Sequence, residues 1–74
     1  MNTIDWDGLR YFLAAAEAGS LSAAAKTLNS HQPTVGRQID NLVISLGIKL
    51  FQRSVTGLQI TPEGEQFYDL AINI

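Results

Sequence analysis

The stretch Ser20–Leu46, SLSAAAKTLNSHQPTVGRQIDNLVISL, constrains the fold more than any other part of the chain. Its first part is Ala-rich and preceded by Ser20, a good N-cap. That pattern predicts a short helix with Leu21, Ala24, Ala25 and Leu28 facing inward. Asn29 and Ser30 break the pattern and form a turn. A longer helix then opens near Gln32, with Ser30 or His31 as its N-cap. Pro33 falls in its first turn, where the missing amide hydrogen has no helical partner to lose. Val35, Ile39, Leu42 and Leu46 recur at i, i+4, i+7 and i+11 and mark the buried face. At about 100° per residue the other face carries Pro33, Arg37 and Asn41, with Thr34 and Asp40 on its borders and Gln32 at its tip. Short alanines suit a steep helix crossing. Two helices, a tight turn and a polar outer face on the second helix predict a helix-turn-helix, the unit that places its second helix in a DNA groove.

The flanks extend this unit. Residues 1–6 read as a leader, with Trp6 packed on the domain and Asp7 as the N-cap of a helix over residues 8–18. Leu9, Phe12, Leu13 and Ala16 form its apolar stripe, and Gly19 ends it. Gly47 stops the long helix. Between residues 48 and 60, two short β-prone runs flank the polar segment Gln52–Gly57, which predicts a hairpin, the wing of a winged helix. Thr61, Pro62 and Glu63 then carry the signals of a helix start. Phe67, Leu70, Ala71 and Ile74 repeat the helical spacing, and the pattern is still running at Ile74, as in a helix cut short. The expected fold is mostly α: a winged helix-turn-helix with a three-helix core and a hairpin wing over residues 1–60, and the start of a linker helix over residues 61–74.

Composition narrows the function. A chain of 74 residues has room for one domain and one small core, and with no cysteine neither disulfides nor thiolate metal sites can support it. No apolar run approaches the ~20 residues of a membrane span. The first residues have no basic group before their apolar positions, so they are not a secretory signal, and the chain reads as cytoplasmic. The net charge of −2 is unusual for a DNA binder. Its distribution softens the conflict. Residues 20–60 hold Lys26, Arg37, Lys49 and Arg53 against Asp40 alone, a local +3, while the other acids lie on either side.

Five ordered blocks carry a family resemblance: Trp6–Ala14, Gly19–Ala25, Gln32–Ile39, Leu46–Arg53 and Leu58–Gly64. Together they resemble the N-terminal winged helix-turn-helix of LysR-type transcriptional regulators, over essentially the whole chain from Trp6. The resemblance implies a bacterial regulator that binds double-stranded DNA as a dimer or tetramer. It implies a linker helix that pairs antiparallel with that of a second subunit. It also implies a C-terminal domain, outside this sequence, that binds a small-molecule effector. Against the family's commonest pattern, His31 stands where Ser precedes Gln-Pro, Gly36 where Ser is frequent, and Val43 where an acid is common. The long helix is also less basic than usual around Asp40 and Asn41.

Arg37 is the foremost candidate for DNA contact, since a guanidinium can pair bidentately with guanine O6 and N7 or with phosphate. Gln32 can donate and accept at a base edge. Pro33 and Thr34 lie beside it, as helix starters or as contacts to a thymine methyl. Gly36 costs about 1 kcal/mol of helix stability relative to Ala; either close approach to DNA or close helix packing accounts for it. Ser22 suits a phosphate at the start of the second helix, where Ser20 is explained by capping. Arg53 on the wing can reach the minor groove or backbone. Lys49 and Arg10 are weaker candidates. Leu70, Ala71 and Ile74 either close the core or form a dimer seam, and a two-fold dimer implies a pseudo-palindromic target. His31 is the one histidine, with no ligand cluster and no catalytic partner, so neither a metal, a cofactor nor enzymatic activity is expected. The competing reading is a winged helix used for protein–protein assembly, which the acidic balance favours and the basic central segment opposes.

Overall fold

The computed structural model describes residues 6–54 and 57–73. Of the expected leader over residues 1–6, residues 1–5 and the side chain of Trp6 lie outside the described residues, as do positions 55 and 56 and Ile74, while the Trp6 backbone already belongs to the first helix. Four helices and one hairpin follow in the order α1 (Trp6–Ala18), α2 (Leu21–Leu28), α3 (Gln32–Leu46), β1 (Phe51–Ser54), β2 (Gly57–Ile60) and α4 (Pro62–Ala71). This is the mostly helical winged helix-turn-helix that the periodicities predict.

The helix ends follow local chemistry. Ser20 caps α2, its side chain accepting from the Ala23 amide at 3.1 Å. Asn29 ends α2 in the left-handed region at φ 53°, a conformation that Asn tolerates better than most residues. Of the two N-cap candidates for α3, His31 occupies the position, with extended backbone and no side-chain cap bond. Asp7 is not a cap: α1 begins at Trp6, so Asp7 lies within its first turn, where a carboxylate favours the positive end of the helix dipole.

The core has two connected parts. Leu9, Phe12, Leu42, Leu50 and Ala71 form one, with Phe67 and Tyr68 packed on it. Ala15, Ala24, Ala25, Val35 and Ile39 form the other, where the three helices cross. Helix α1 serves both parts, which is why Ala15 is fully buried while Ala16 of the expected stripe is only half-buried. Phe12 is the hub: its ring lies 5.3 Å from those of Phe51 and Phe67 and 6.4 Å from that of Tyr68. It therefore joins the first helix to both the wing and α4. Tyr68 also donates to the Glu17 carboxylate at 3.1 Å, a bond that raises the phenol's pKa above its ordinary value.

Strands β1 and β2 pair antiparallel with Phe51 opposite Ile60 and Arg53 opposite Leu58. The wing is tied to the turn after α1, because the Leu58 amide donates to the Gly19 carbonyl at 3.4 Å. Gly57, at φ 129°, allows this approach; a Cβ there would stand 3.2 Å from the same carbonyl. At the other end of the wing, the buried Thr61 begins α4. Its Oγ1 accepts from the Gly64 amide at 2.9 Å and donates to the Lys49 carbonyl at 2.5 Å. Helix α4 is thereby fastened to the strand entry as well as to Phe12, and its inward face belongs to the domain core.

Candidate nucleic-acid interface

Three elements build one open groove. Helix α3 contributes Gln32, Pro33, Gly36, Arg37 and Asp40, α2 contributes Leu21, and β1 contributes Arg53, around a volume of about 470 Å³. Helical spacing explains the α3 set: Pro33, Arg37 and Asp40 at i, i+4 and i+7 form one stripe, flanked by Gly36. The buried Val35, Ile39 and Leu42 anchor the other face and so fix how the stripe is turned. Arg53 reaches the groove because the hairpin register sets it opposite Leu58, the residue that meets the α1–α2 turn. A recess beside the groove collects Ser22, Gln32, Arg53 and Ser54.

Of the DNA-contact candidates, Gln32, Pro33, Gly36, Arg37 and Arg53 thus line one groove and Ser22 lies at its margin with Gln32 and Arg53. Thr34 is half-buried and outside the lining, being turned about 100° from Pro33 around the helix. Arg10 pairs with Asp7 at 3.9 Å and lies 5.7 Å from the Tyr11 ring centre, away from the groove. Arg37 and Arg53 are exposed and enter no ion pair among the described residues, so both guanidiniums are available to an anion. Helical spacing puts Asp40 on the border of the outer face; the structure brings it inside the groove between α3 and the wing. The signal that could have found it is its i+3 spacing from Arg37.

The space around Gly36 separates the two explanations for that residue. A Cβ there would meet only the Leu21 Cδ1, at 3.7 Å, an ordinary contact. Helix packing therefore does not require glycine at this position. Gly36→Ala is expected to raise stability by about 1 kcal/mol and to weaken duplex binding. Thermal melts and duplex titration of the same protein check this; a stabilised variant with unchanged affinity removes Gly36 from the DNA-facing set.

Among the candidates for a dimer seam, Leu70 is 69% exposed, whereas Ala71 is 7% exposed and packs in the core with Leu9 and Phe12. Of the two readings open for Ala71, core or seam, its burial beside Leu9 and Phe12 favours the core: its small side chain lets α4 close on the first helix. Among the described residues, no helix is long and apolar enough to cross a membrane.

The family model of the bacterial regulatory helix-turn-helix proteins of the lysR family matches residues 6–65, which include α1, α2, α3 and both strands. The chain belongs to the LysR family. Among its relatives, the HTH-type transcriptional regulator TfdS of Cupriavidus pinatubonensis is 52% identical over 61 residues, 82% of this chain and 21% of that protein. BenM of Acinetobacter baylyi, also an HTH-type transcriptional regulator, is 46% identical over 66 residues, 89% of this chain and 22% of that protein. The chain therefore spans about a fifth of the length of these LysR-family relatives. A crystal structure of a CbnR DBD–DNA complex superposes with a TM-score of 0.90 at 40% identity, over 95% of this chain and 80% of that one. A BenM DBD complex with benA site 1 DNA gives 0.89 at 43% identity, over 95% and 79%.

Proposed function

We propose that this LysR-family chain is the sequence-specific DNA-binding part of a bacterial transcriptional regulator. The observation that carries the reading is the convergence of Gln32, Pro33, Gly36, Arg37 and Arg53 on one groove. The likeness to two domains crystallised with DNA supports it. In this reading the outward stripe of α3 enters the major groove, its N-terminal end leading. Arg37 pairs with guanine or phosphate and Gln32 with a base edge. Ser22 holds a backbone phosphate, and Arg53 follows the backbone or minor groove from the wing. The role is regulatory rather than catalytic and is carried out in the cytoplasm. In the whole protein, α4 begins the linker helix through which two copies pair. Leu70 and Ile74 contribute to that seam, and a C-terminal domain receives a small-molecule effector. A two-fold pair then requires a pseudo-palindromic site, with the half-sites one helical turn apart or a multiple of it.

The test is duplex titration across a salt series, with a selected target and a random duplex as probes. Affinity should fall linearly on a log–log scale, by a slope of about −0.9 per phosphate neutralised, and the target should be preferred throughout. Absence of binding by a verified dimer at low salt would overturn the reading.

A further inference from the structure

Among its lining residues the reading groove holds one acid, Asp40. Asp40 is exposed, lies in the middle of α3, and makes no ion pair among the described residues, although Arg37 is three residues away and Arg53 shares the groove. Asp is a weak helix former at such a position, where its side chain competes for backbone hydrogen bonds. Beside DNA a carboxylate is also repelled by phosphates. Both effects disfavour Asp40 unless a hydrogen-bond donor meets it.

Resting on the DNA-binding reading above, we propose that Asp40 is a specificity-determining residue that accepts a hydrogen bond from the N4 amino group of a cytosine. Only two amino groups face the major groove, cytosine N4 and adenine N6. Adenine sets its N7 acceptor beside N6, and guanine and thymine offer acceptors alone, so each turns oxygen or nitrogen lone pairs toward a carboxylate. Cytosine has only a C–H on the side of N4 away from its paired guanine, and a carboxylate approaching there meets the donor with least repulsion. The placement on α3 gives the register. Arg37 and Asp40 lie on one stripe, separated by about 4.5 Å along the helix axis, little more than the ~3.4 Å between base pairs. Asp40 therefore reads the base pair next to the one read by Arg37. An arginine selecting guanine and an aspartate selecting cytosine make a paired G and C requirement in each half-site, and the acid rejects duplexes that the arginine alone would accept.

Selection from a duplex pool with a randomised core, followed by sequencing, tests this on the full chain and on Asp40→Ala. The wild type should enrich cytosine at a column adjacent to its guanine column. Asp40→Ala should lose that preference by about 5- to 100-fold while the remaining columns persist. Because Asp40 is exposed and Ala is the better helix former, the variant should melt at or slightly above wild type, and a melt run alongside checks it. If Asp40→Ala binds every duplex more tightly and selects the same sequences, Asp40 is only a repulsive charge and the proposal fails while DNA readout stands. If the wild type enriches nothing, the failure belongs to the DNA-binding reading, and this proposal falls with it.

Discussion

Gly64→Ala is expected to destabilise the domain by about 3 kcal/mol or more, in the upper range for overpacked sites. A Cβ at this position would lie 2.3 Å from the Leu50 carbonyl oxygen and 2.8 Å from Ile60 Cγ1. The first of these is backbone and cannot rotate away. It belongs to the residue that also accepts the Thr61 amide at 3.0 Å, and Leu50 itself is fully buried. Relief would require α4 to lift from the strand entry, which breaks the Thr61 cap and withdraws Phe67 from Phe12. A domain of this size is stable by only about 4–11 kcal/mol in all, so the loss is a large share. Denaturant titration or a thermal melt reads it, with a fall of roughly 12–24 °C expected for 3 kcal/mol. Gly36→Ala is the internal control, since its methyl group has room. A Gly64→Ala variant melting within a few degrees of wild type would show that α4 is less firmly seated than its contacts indicate.

Arg37→Ala is expected to weaken binding to a selected target by about 1–3 kcal/mol, or roughly 5- to 150-fold, and to relax the preference at one base pair. Arg53→Ala is the contrasting variant. If, as proposed, its guanidinium follows the DNA from the wing as a backbone contact, its loss should weaken target and random duplexes nearly alike and reduce the salt slope by about 1. The two side chains line the same groove, but they approach it from different elements, α3 and β1. Paired titrations with target and random duplex separate the roles. Equal effects of both variants on specificity would mean that Arg37, too, serves only as a phosphate contact. Neither side chain supports the core, so both variants should retain the wild-type melt.

Much of this organisation is legible in the sequence. The buried positions of α3 follow from the spacing of Val35, Ile39 and Leu42, because a helix repeats its faces every 3.6 residues and a one-sided apolar stripe has one stable orientation. Ser20 and Thr61 announced their helices, since a hydroxyl at an N-cap acts on amides three residues away and needs nothing more distant. Where the outcome depended on a second element, local pattern was insufficient. Asp7 reads as a cap because nothing in the local pattern shows that the helix already includes Trp6. The spacing leaves Ala71 open between core and seam, because i, i+3, i+4 periodicity marks an apolar face without saying what covers it. Phe12 and Leu9 cover it here.

By itself, the sequence determined the helix-turn-helix, the wing, the family and the principal groove-lining residues of α3. All of these rest on contacts within a few residues or on a one-dimensional pattern. Only the tertiary structure decided that Arg53 of the wing shares a groove with Arg37 and Asp40 of α3, that Gly36 has space for a methyl group while Gly64 has none, and that the start of α4 belongs to the core. Those facts depend on distances between segments far apart in the chain. They are set by how Phe12, Leu50 and the Gly19–Leu58 bond hold the segments together, and neither periodicity nor composition contains that information.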